Sequence, residues 1–406
     1  MRITLVGPAY PLRGGIAHHT YWLRRELAAR GHAVQVISFR KLYPRLLFPG
    51  TTEIDTSRLR LDAGALAILT ALGPLTWLQA LRAIKEFSPH VVVFQWWQPF
   101  FGPLVGTLAR SLGNRDIKRV IECHNIFPHE GSPLDRRLLK FAFSPADHLI
   151  THSERDRRDV AAIVPGKSVS VCSLPALEEF AGHATPAREG RTILFFGKVR
   201  KYKGLSVLLE AMPKVLQRLD CRLEIIGEFY ESIDRYNRLI RKLGLETAVR
   251  IDNRYVPNEE VPGIFERADV LVLPYVSASS SGVAQIALSN ALPVIASSAG
   301  GLSEAVMDGV NGLMFPCGDS DALAERIVYY FTNNLGPALS KNLQTSLADR
   351  RTAVEIIEQI AGIESLVTES LARLQREAAG INREQKNRCG DQRTNAVQRM
   401  RRDRSR

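Results

Sequence analysis

The chain has few cysteines, and they are not paired in the sequence. Five occur in 406 residues, and no two stand in a Cys-x-x-Cys spacing. They are Cys123, Cys172, Cys221, Cys317 and Cys389. An odd, scattered set argues against a disulfide scaffold and a cysteine metal cage, and it favours a reducing compartment. The chain also opens on a strand-like run and not on an apolar leader, so we expect no signal peptide and a cytoplasmic location.

Long apolar segments are also scarce. One run without charged residues, 63–81, has the length of a membrane span. Gly73-Pro74 interrupts this run, and threonine and glutamine side chains dilute it. We therefore predict two core-packed helices that meet at Gly73-Pro74.

Acidic residues are fewer than basic ones, which gives a net charge of +12. Half of this excess lies in residues 376–406, where ten basic residues face four acidic ones. Because this tail has almost no large apolar residues, we predict that it is disordered. The rest of the chain is only mildly basic, and we expect no nucleic-acid partner.

Several nucleotide and metal signatures are missing. The first glycine loop, residues 7–15, reads Gly-Pro-Ala-Tyr-Pro-Leu-Arg-Gly-Gly and lacks the Gly-x-Gly-x-x-Gly spacing. The second predicted strand ends in Phe39-Arg40-Lys41, without an acidic residue to hold a ribose, so a dehydrogenase is excluded. No clustered Asp-x-Asp is present, and isolated Asp252 and Asp269 are poor ligands, so we expect no metal site.

What the sequence does contain is an alternation of short apolar runs with amphipathic helices. This alternation predicts parallel sheets covered by helices, hence an α/β class with two Rossmann-like, doubly wound domains. The predicted strands are 3–6, 33–39, 91–95, 119–123, 148–151 and 168–172, then 192–196, 222–226, 249–252, 270–274 and 294–296. The predicted divisions are a first domain 1–175, a linker 176–190, a second domain 191–335, C-terminal helices 336–375 and the tail 376–406.

Three strand-to-helix loops suit an anion, because ligands bind beyond the carboxyl ends of such strands. Gly14-Gly15 allows close backbone approach, and residues 196–204 combine glycines with cations at a helix N-terminus. Residues 277–283 add serine hydroxyls at another helix start. A tight turn, a solvated basic turn and simple serine capping are the structural alternatives. His124 follows a strand at the same predicted edge, although a lone histidine is more often structural.

Taken in chain order, these motifs resemble those of the retaining family-4 glycosyltransferases. The resemblance runs from about Ile3 to Ile327 and implies the GT-B fold, in which two Rossmann-like domains face a cleft. It implies transfer of a sugar from a nucleotide-diphosphate sugar to an acceptor, with retention and without a metal or other cofactor. The motifs are Gly14-Gly15-Ile16, His124-Asn125, Gly197-(x5)-Lys203-Gly204, Ala268-Asp269-Val270, Pro274, Pro293-Val294-Ile295-Ala296, Gly300-Gly301-Leu302-Ser303-Glu304, Asp308-Gly309-Val310-Asn311-Gly312 and Gly318-Asp319.

The resemblance also implies roles for individual residues. Lys203 with Arg200 or Lys198 would clamp the phosphates, and Gly14 and Gly15 would approach them from across the cleft. His124 would lie beside the transferred sugar. The further donor contacts implied are Ser280, Ser281, Gly282, Val283 and Gln285.

One departure from the family concerns two glutamates, eight residues apart, that precede the Pro293 strand. Their positions are occupied by Ala278 and Ile286, and Ile286 cannot bind ribose hydroxyls. Gln285 is adjacent, but one helical position turns it about 100° away. The departure leaves open a non-catalytic nucleotide-sugar binder or scaffold. A GT-B sugar-nucleotide epimerase is a further alternative.

Two stretches of the first domain, 40–48 and 136–143, place cations beside leucine and phenylalanine. Such stretches suit a peripheral contact with an anionic membrane, which would lie at the inner face of the plasma membrane. A lipid-linked or cell-envelope acceptor would follow from that contact. The alternative is that Leu138, Phe141 and Phe143 are core residues and the charges are solvated.

Overall fold

A computed structural model describes residues 1–44, 52–113, 116–127, 133–182, 191–346 and 352–362. In the first half, strands pair in parallel in the order β3-β2-β1-β4-β5-β6-β7. They are β1 Arg2–Val6, β2 Ala33–Lys41, β3 Leu66–Thr70, β4 Val91–Trp96, β5 Lys118–Cys123, β6 His148–Thr151 and β7 Ser168–Val171. The helices are α1 Gly15–Ala29, α2 Pro74–Phe87, α3 Gly102–Ser111, α4 Pro133–Phe143 and α5 Glu154–Ile163.

The second half repeats this plan with strands in the order β10-β9-β8-β11-β12-β13, again parallel. The strands are β8 Thr192–Phe196, β9 Arg222–Ile226, β10 Val249–Asp252, β11 Val270–Leu273, β12 Val294–Ser297 and β13 Gly312–Phe315. The helices are α6 Leu205–Leu216, α7 Ile233–Lys242, α8 Val261–Glu266, α9 Gly282–Ser289, α10 Leu302–Ala305, α11 Ser320–Thr332 and α12 Gly336–Ser346. The two predicted Rossmann-like sheets are thus confirmed.

Each sheet reverses its strand order beside its first strand. The reversal falls between β1 and β4 in the first sheet and between β8 and β11 in the second. Because helices cover both faces, the central strands are apolar throughout, and all six residues of β4 are buried. At such a reversal the loops diverge and leave a crevice, and the loops after β1 and β8 contain Gly14 and Gly197.

The prediction for residues 63–81 was wrong in its first half. Residues Leu66–Thr70 form the edge strand β3, paired with β2, and only α2 is a helix. The Gly73-Pro74 break marks the start of α2, with Pro74 in its first turn. The indole of Trp77 donates to the Thr70 carbonyl at 2.9 Å, so the strand–helix turn is fixed by a side chain. Strand β13 was also missed, because four residues beginning with glycine give little periodicity.

Parts of three predictions lie outside the described residues. These are residues 183–190 of the linker, residues 363–375 of the C-terminal helices and the tail 376–406. In the described part of the linker, Leu177 and Phe180 are buried with residues of the second sheet's core. Residues 353–362 are helical, as expected.

The two sheets contact each other through polar groups. Arg13 bonds to Glu228 at 2.6 Å, and the phenol of Tyr255 donates to Asp55 at 2.9 Å. The carboxylate of Glu304 accepts the backbone N–H of Glu154, at the start of α5, at 2.7 Å. Such bonds fix the spacing of the two carboxyl edges.

We predict that Gly204→Ala destabilises the fold through a clash and not only through backbone strain. Gly204 has φ 68°, and an added Cβ would lie 1.8 Å from the Pro274 carbonyl oxygen. The expected loss is roughly 3 kcal/mol of unfolding free energy, measured by urea denaturation.

Gly244→Ala is the matched control, since Gly244 has φ 64° and nothing within 4 Å of the added Cβ. Strain alone should cost it about 1 kcal/mol. Equal losses in the two variants would contradict the packing described around Pro274.

Candidate functional site

A group of cations follows β8 at the point where its sheet reverses. Lys198, Arg200 and Lys203 stand on one short loop, and Lys203 is buried, with 8% of its surface exposed. The ammonium of Lys203 lies 5.3 Å from the centroid of the Tyr275 ring. We call Lys198, Arg200 and Lys203 the cationic group.

Gly197 leaves the space into which Lys203 extends. A Cβ on Gly197 would lie 3.3 Å from both the Lys203 Nζ and the Val283 Cγ2. The loop after β8 and the start of α9 therefore meet at this glycine. Any side chain at position 197 would compete with the lysine for this space.

The charge of the cationic group is not neutralised within the described residues, where neither Lys198 nor Lys203 forms an ion pair. Burial lowers the pKa of Lys203 below its usual value. Burial, with the nearby charges of Arg13 and Arg200, lowers the pKa of Lys198 to about 8. Desolvated cations without a carboxylate partner are costly, and an anionic ligand that pairs with them removes that cost.

Arg13 faces the cationic group from the first sheet. Its Nη2 donates to Glu228 at 2.6 Å, and its guanidinium lies 4.8 Å from the Tyr255 ring centroid. Its Nε and Nη1 are buried without a hydrogen-bond partner in the described chain. Arg13, Gly14, Gly15 and Lys198 line one cavity of about 160 Å³, so both glycines share a cavity with one member of the cationic group, Lys198.

The serine loop, residues 277–283, forms a second wall. The Ser281 hydroxyl accepts the Ala284 N–H at 3.3 Å and thereby caps α9. Ala278 and Ile286, the residues expected at the family's two glutamate positions, are each 8% exposed and pack in the core. Acidic side chains at those two points would therefore face apolar neighbours.

Gln285 lies beside a second cavity, of about 260 Å³. Its side chain is buried, and its Oε1 has no hydrogen-bond partner within the described residues. Ser280, Ser281, His152 and Glu304 line the same cavity. Because adjacent positions of a helix point about 100° apart, Gln285 points toward polar neighbours while Ile286 packs in the core.

His124 belongs to a buried network in the first domain. We call His19, Glu122, His124 and His152 the histidine–glutamate cluster. The Nε2 of His19 lies 2.8 Å from Glu122 Oε1, and the Nε2 of His152 lies 3.5 Å from the same oxygen. His124 Nε2 lies 2.5 Å from the side-chain oxygen of Gln95, whose amide donates to Glu122 Oε2 at 2.8 Å.

The cluster is electrically unusual for a protein interior. Burial alone would raise the pKa of Glu122, but the nearby imidazoles hold it well below its usual range. Burial lowers the pKa of His124 well below 6.5 and that of His152 to about 4. A carboxylate surrounded by three imidazoles therefore lies under the junction of the two sheets.

The backbone of His124 reaches that junction. Its carbonyl oxygen accepts the Ser279 hydroxyl at 3.1 Å, and the same hydroxyl bonds to the Asn125 side chain. The ring itself points inward to Gln95. His124 is therefore a residue of both the network and the contact with the serine loop.

Sequence reasoning missed several residues of this region. Arg13, Glu228 and Tyr230 complete the surroundings of the cationic group, and Tyr230 lies 4.8 Å below the Arg200 guanidinium. Arg13 directly precedes the Gly14-Gly15 pair, which was the available signal. Glu228 and Tyr230 follow β9 in a loop without any pattern. Their proximity depends on strand order, which periodicity does not give.

Two switch-point sheets with anion-suited loops facing each other define the GT-B class of nucleotide-sugar folds. The family profile "Glycosyl transferase 4-like domain" matches residues 14–175, and "Glycosyl transferases group 1" matches residues 190–333. Together they cover about three quarters of the chain. The chain belongs to the family-4-like glycosyltransferases of the GT-B type.

Similar proteins are known at low identity. A phosphatidyl-myo-inositol mannosyltransferase of Mycobacterium leprae is 24% identical over 358 residues, 82% of this chain and 88% of that protein. A D-inositol 3-phosphate glycosyltransferase of Corynebacterium aurimucosum is 30% identical over 176 residues, 41% of each chain. The chain thus spans about two fifths of that second relative's length.

Solved structures share the fold over most of the chain. Sucrose-phosphate synthase from Thermosynechococcus elongatus has a TM-score of 0.71 at 19% identity and covers 91% of this chain and 99% of its own. Anabaena HepE in complex with UDP-glucose has a TM-score of 0.68 at 17% identity, covering 90% and 99%. Within the described residues, none of the helices has the length and apolarity to cross a membrane.

The lowered pKa of Lys198 predicts that diphosphate affinity falls above pH 8. Below about pH 8 the ammonium is charged and attracts the anion, and above it the amine is neutral. Losing one charge-assisted hydrogen bond of about 1.5 kcal/mol should weaken pyrophosphate binding about tenfold between pH 7 and 9.5. Isothermal titration calorimetry measures this change.

Lys198→Arg is the control, because arginine stays charged over this range while the titration of pyrophosphate itself is shared. The ratio of the two affinities should therefore change with pH. A constant ratio would show that Lys198 does not contact the anion.

Proposed function

We propose that this protein transfers a sugar from a nucleotide-diphosphate sugar to an acceptor with retention, giving an α-linked product. The observation that carries the proposal is the pair of buried lysines, Lys198 and Lys203, which form no ion pair within the described residues; Lys198 faces the Gly14-Gly15 backbone across one cavity, which Glu53 also lines. A diphosphate provides the negative charge that this arrangement lacks. The GT-B fold and the family support the reaction class.

The cationic group would act on the departing diphosphate. As the bond to the sugar breaks, negative charge grows on the phosphate oxygens, and cations already in place stabilise it without reorganisation. Lys203, fixed against Tyr275, and Lys198, beside Arg13, would supply this charge, with Arg200 at the open side. Because three side chains already bring positive charge, we propose that transfer needs no divalent metal.

The serine loop would hold the rest of the donor. The start of α9 offers the backbone N–H groups of Gly282 and Val283 and the hydroxyls of Ser280 and Ser281, and the Val283 side chain meets Lys203 at Gly197. Gln285 would take over a polar contact that Ile286 cannot make, since its Oε1 is buried without a partner. His124 would lie next to the transferred sugar through its position at the sheet junction.

A non-catalytic nucleotide-sugar binder is the second candidate. It is favoured by one observation, the packing of Ala278 and Ile286 among apolar side chains where the family has glutamates. Such a protein would bind donor without turnover or slow donor hydrolysis. An epimerase would instead return an altered sugar nucleotide, which product chromatography distinguishes.

We predict that Lys203→Ala abolishes turnover and the thermal stabilisation by nucleoside diphosphates, with little loss of fold stability. Wild-type protein should show a raised melting temperature with one of UDP, GDP or ADP at millimolar concentration, because a ligand of the folded state stabilises it. UDP is tested first, since HepE is known in complex with it.

Lys201→Ala is the control, because Lys201 lies on the same loop but is exposed. It should keep both the thermal shift and turnover, and wild-type turnover should persist in EDTA. A folded Lys203→Ala protein with normal turnover would remove the phosphate assignment. Diphosphate binding without any turnover would favour the non-catalytic candidate.

We further propose that the first domain touches an anionic membrane at the cytoplasmic face, where it would meet a lipid-linked or cell-envelope acceptor. Three leucines support this contact, Leu72 in the turn before α2 and Leu75 and Leu78 in its first turns; they are 63%, 76% and 54% exposed. Arg82 and Lys85 continue the exposed face of α2. Apolar side chains followed by cations suit a lipid surface.

Of the two stretches that the sequence suggested for a membrane contact, 40–48 and 136–143, the described residues are only partly exposed. In α4, Arg136, Arg137 and Lys140 are exposed, and Phe141 is 39% exposed beneath the Arg110 guanidinium. Phe143 is buried, so the core alternative holds for that residue. Both α2 and α4 pack beside α3. Residues 45–48 of the other stretch lie outside the described residues.

Replacing Leu75 and Leu78 together by serine should reduce co-sedimentation with phosphatidylserine vesicles at least fivefold, because two apolar side chains no longer enter the lipid. Val310→Ser, at a 45% exposed valine of the second domain, is the control and should bind as wild type. Equal binding of all three proteins would contradict the α2 surface.

A further inference from the structure

The histidine–glutamate cluster contains unused metal-ligand atoms. His19, Glu122 and His124 place ligand atoms within 4.8 Å of one another, and all three residues are buried. The side chain of His152 is 1% exposed, and its Nε2 faces Glu122 Oε1 at 3.5 Å. His152 thus adds a nitrogen beside the Glu122 carboxylate to a group of three ligand-bearing side chains.

The orientation of His152 is that of a ligand and not of a hydrogen-bond donor to the carboxylate. Its Nδ1 lies 3.3 Å from the carbonyl oxygen of Cys172, which can only accept a hydrogen bond, and 3.5 Å from the Cys172 thiol, which is a weak donor. A neutral ring that donates from Nδ1 has its lone pair on Nε2, and this lone pair points at a carboxylate oxygen. Nε2 has no hydrogen-bond partner in the described chain. Two electron-rich atoms facing each other in the interior call for a cation between them.

The hydrogen bonding of Glu122 also fits a metal ligand. Gln95 donates to Glu122 Oε2 and leaves Oε1 facing the imidazoles, as outer hydrogen bonds orient metal-binding carboxylates.

We propose that the histidine–glutamate cluster is a binding site for one Zn²⁺ ion. Zinc bonds of about 2.0–2.1 Å to nitrogen and oxygen place tetrahedral ligand atoms on the order of 3.3 Å apart. The 3.5 Å from His152 to Glu122 is close to that value, and the 2.8 Å from His19 to Glu122 must widen by about half an ångström. Imidazole nitrogens exclude Mg²⁺ and Ca²⁺ as the preferred ion.

This site uses different residues from the cationic group, so it is separate from the diphosphate and from the proposal that transfer needs no metal. Two residues connect the cluster with the proposed transfer site: His124, and His152, which lines the cavity beside Gln285. The readout of the test is therefore zinc itself and not turnover, and its result stands whether or not the protein transfers a sugar.

The test titrates Zn²⁺ into metal-free, tag-free full-length protein by calorimetry, with metal content measured after dialysis. Wild type should retain about one Zn²⁺ per chain. Glu122→Gln and His152→Gln should each weaken binding at least tenfold. His18→Gln is the matched control, since His18 adjoins His19 on α1 but its ring packs against Phe180, and it should bind as wild type.

Zinc retained equally by Glu122→Gln, or no retained zinc in wild type, would overturn the proposal. Should both cluster variants fail to fold, Co²⁺ bound to the wild type decides. The intense visible absorption of a four-coordinate nitrogen and oxygen site supports the cluster, and the weak absorption of a six-coordinate aqueous ion overturns it.

Discussion

Positive charge that is buried without a counter-charge is the constraint on which this site depends. Folding brings Lys203 and Lys198 out of water, and the described part of the chain offers them aromatic rings and a distant carboxylate in place of ion pairs. The stability of the two hydrophobic cores offsets the cost of desolvating these lysines, so the positive charge is in place before a ligand binds. Preorganisation of this kind is what a reaction that releases a diphosphate requires.

The first sheet contributes Arg13 to this site, from the side opposite the cationic group. The guanidinium of Arg13 is pinned by Glu228, which partly offsets the charge that Arg13 would otherwise add beside Lys198. The local sum of charges is thus set by residues from both sheets. A change in the distance between the sheets therefore alters how strongly the site attracts an anion.

Much of the fold was predictable because parallel strands buried on both faces are continuous apolar runs, as in β4, β8 and β11. The prediction of two helices in residues 63–81 was wrong because the edge strand β3 and the start of α2 are both apolar. Only the pairing of β3 with β2 distinguishes a strand from a helix there. The cationic group was found because its residues share one loop. Glu228, Tyr230, His19 and His152 were not, because their proximity is created by strand order and by contacts between the sheets.

The polar character of the contacts between the sheets has a thermodynamic consequence. Tyr255 with Asp55, Arg13 with Glu228 and Glu304 with the start of α5 exchange hydrogen bonds with water when they part. Breaking these hydrogen bonds alone changes the heat capacity little, whereas Leu61 of the first half, 4% exposed in the core cluster of the second sheet, would expose apolar surface. The equilibrium for separating the sheets would therefore respond to ionic strength through the Arg13–Glu228 pair and to temperature through the exposure of Leu61.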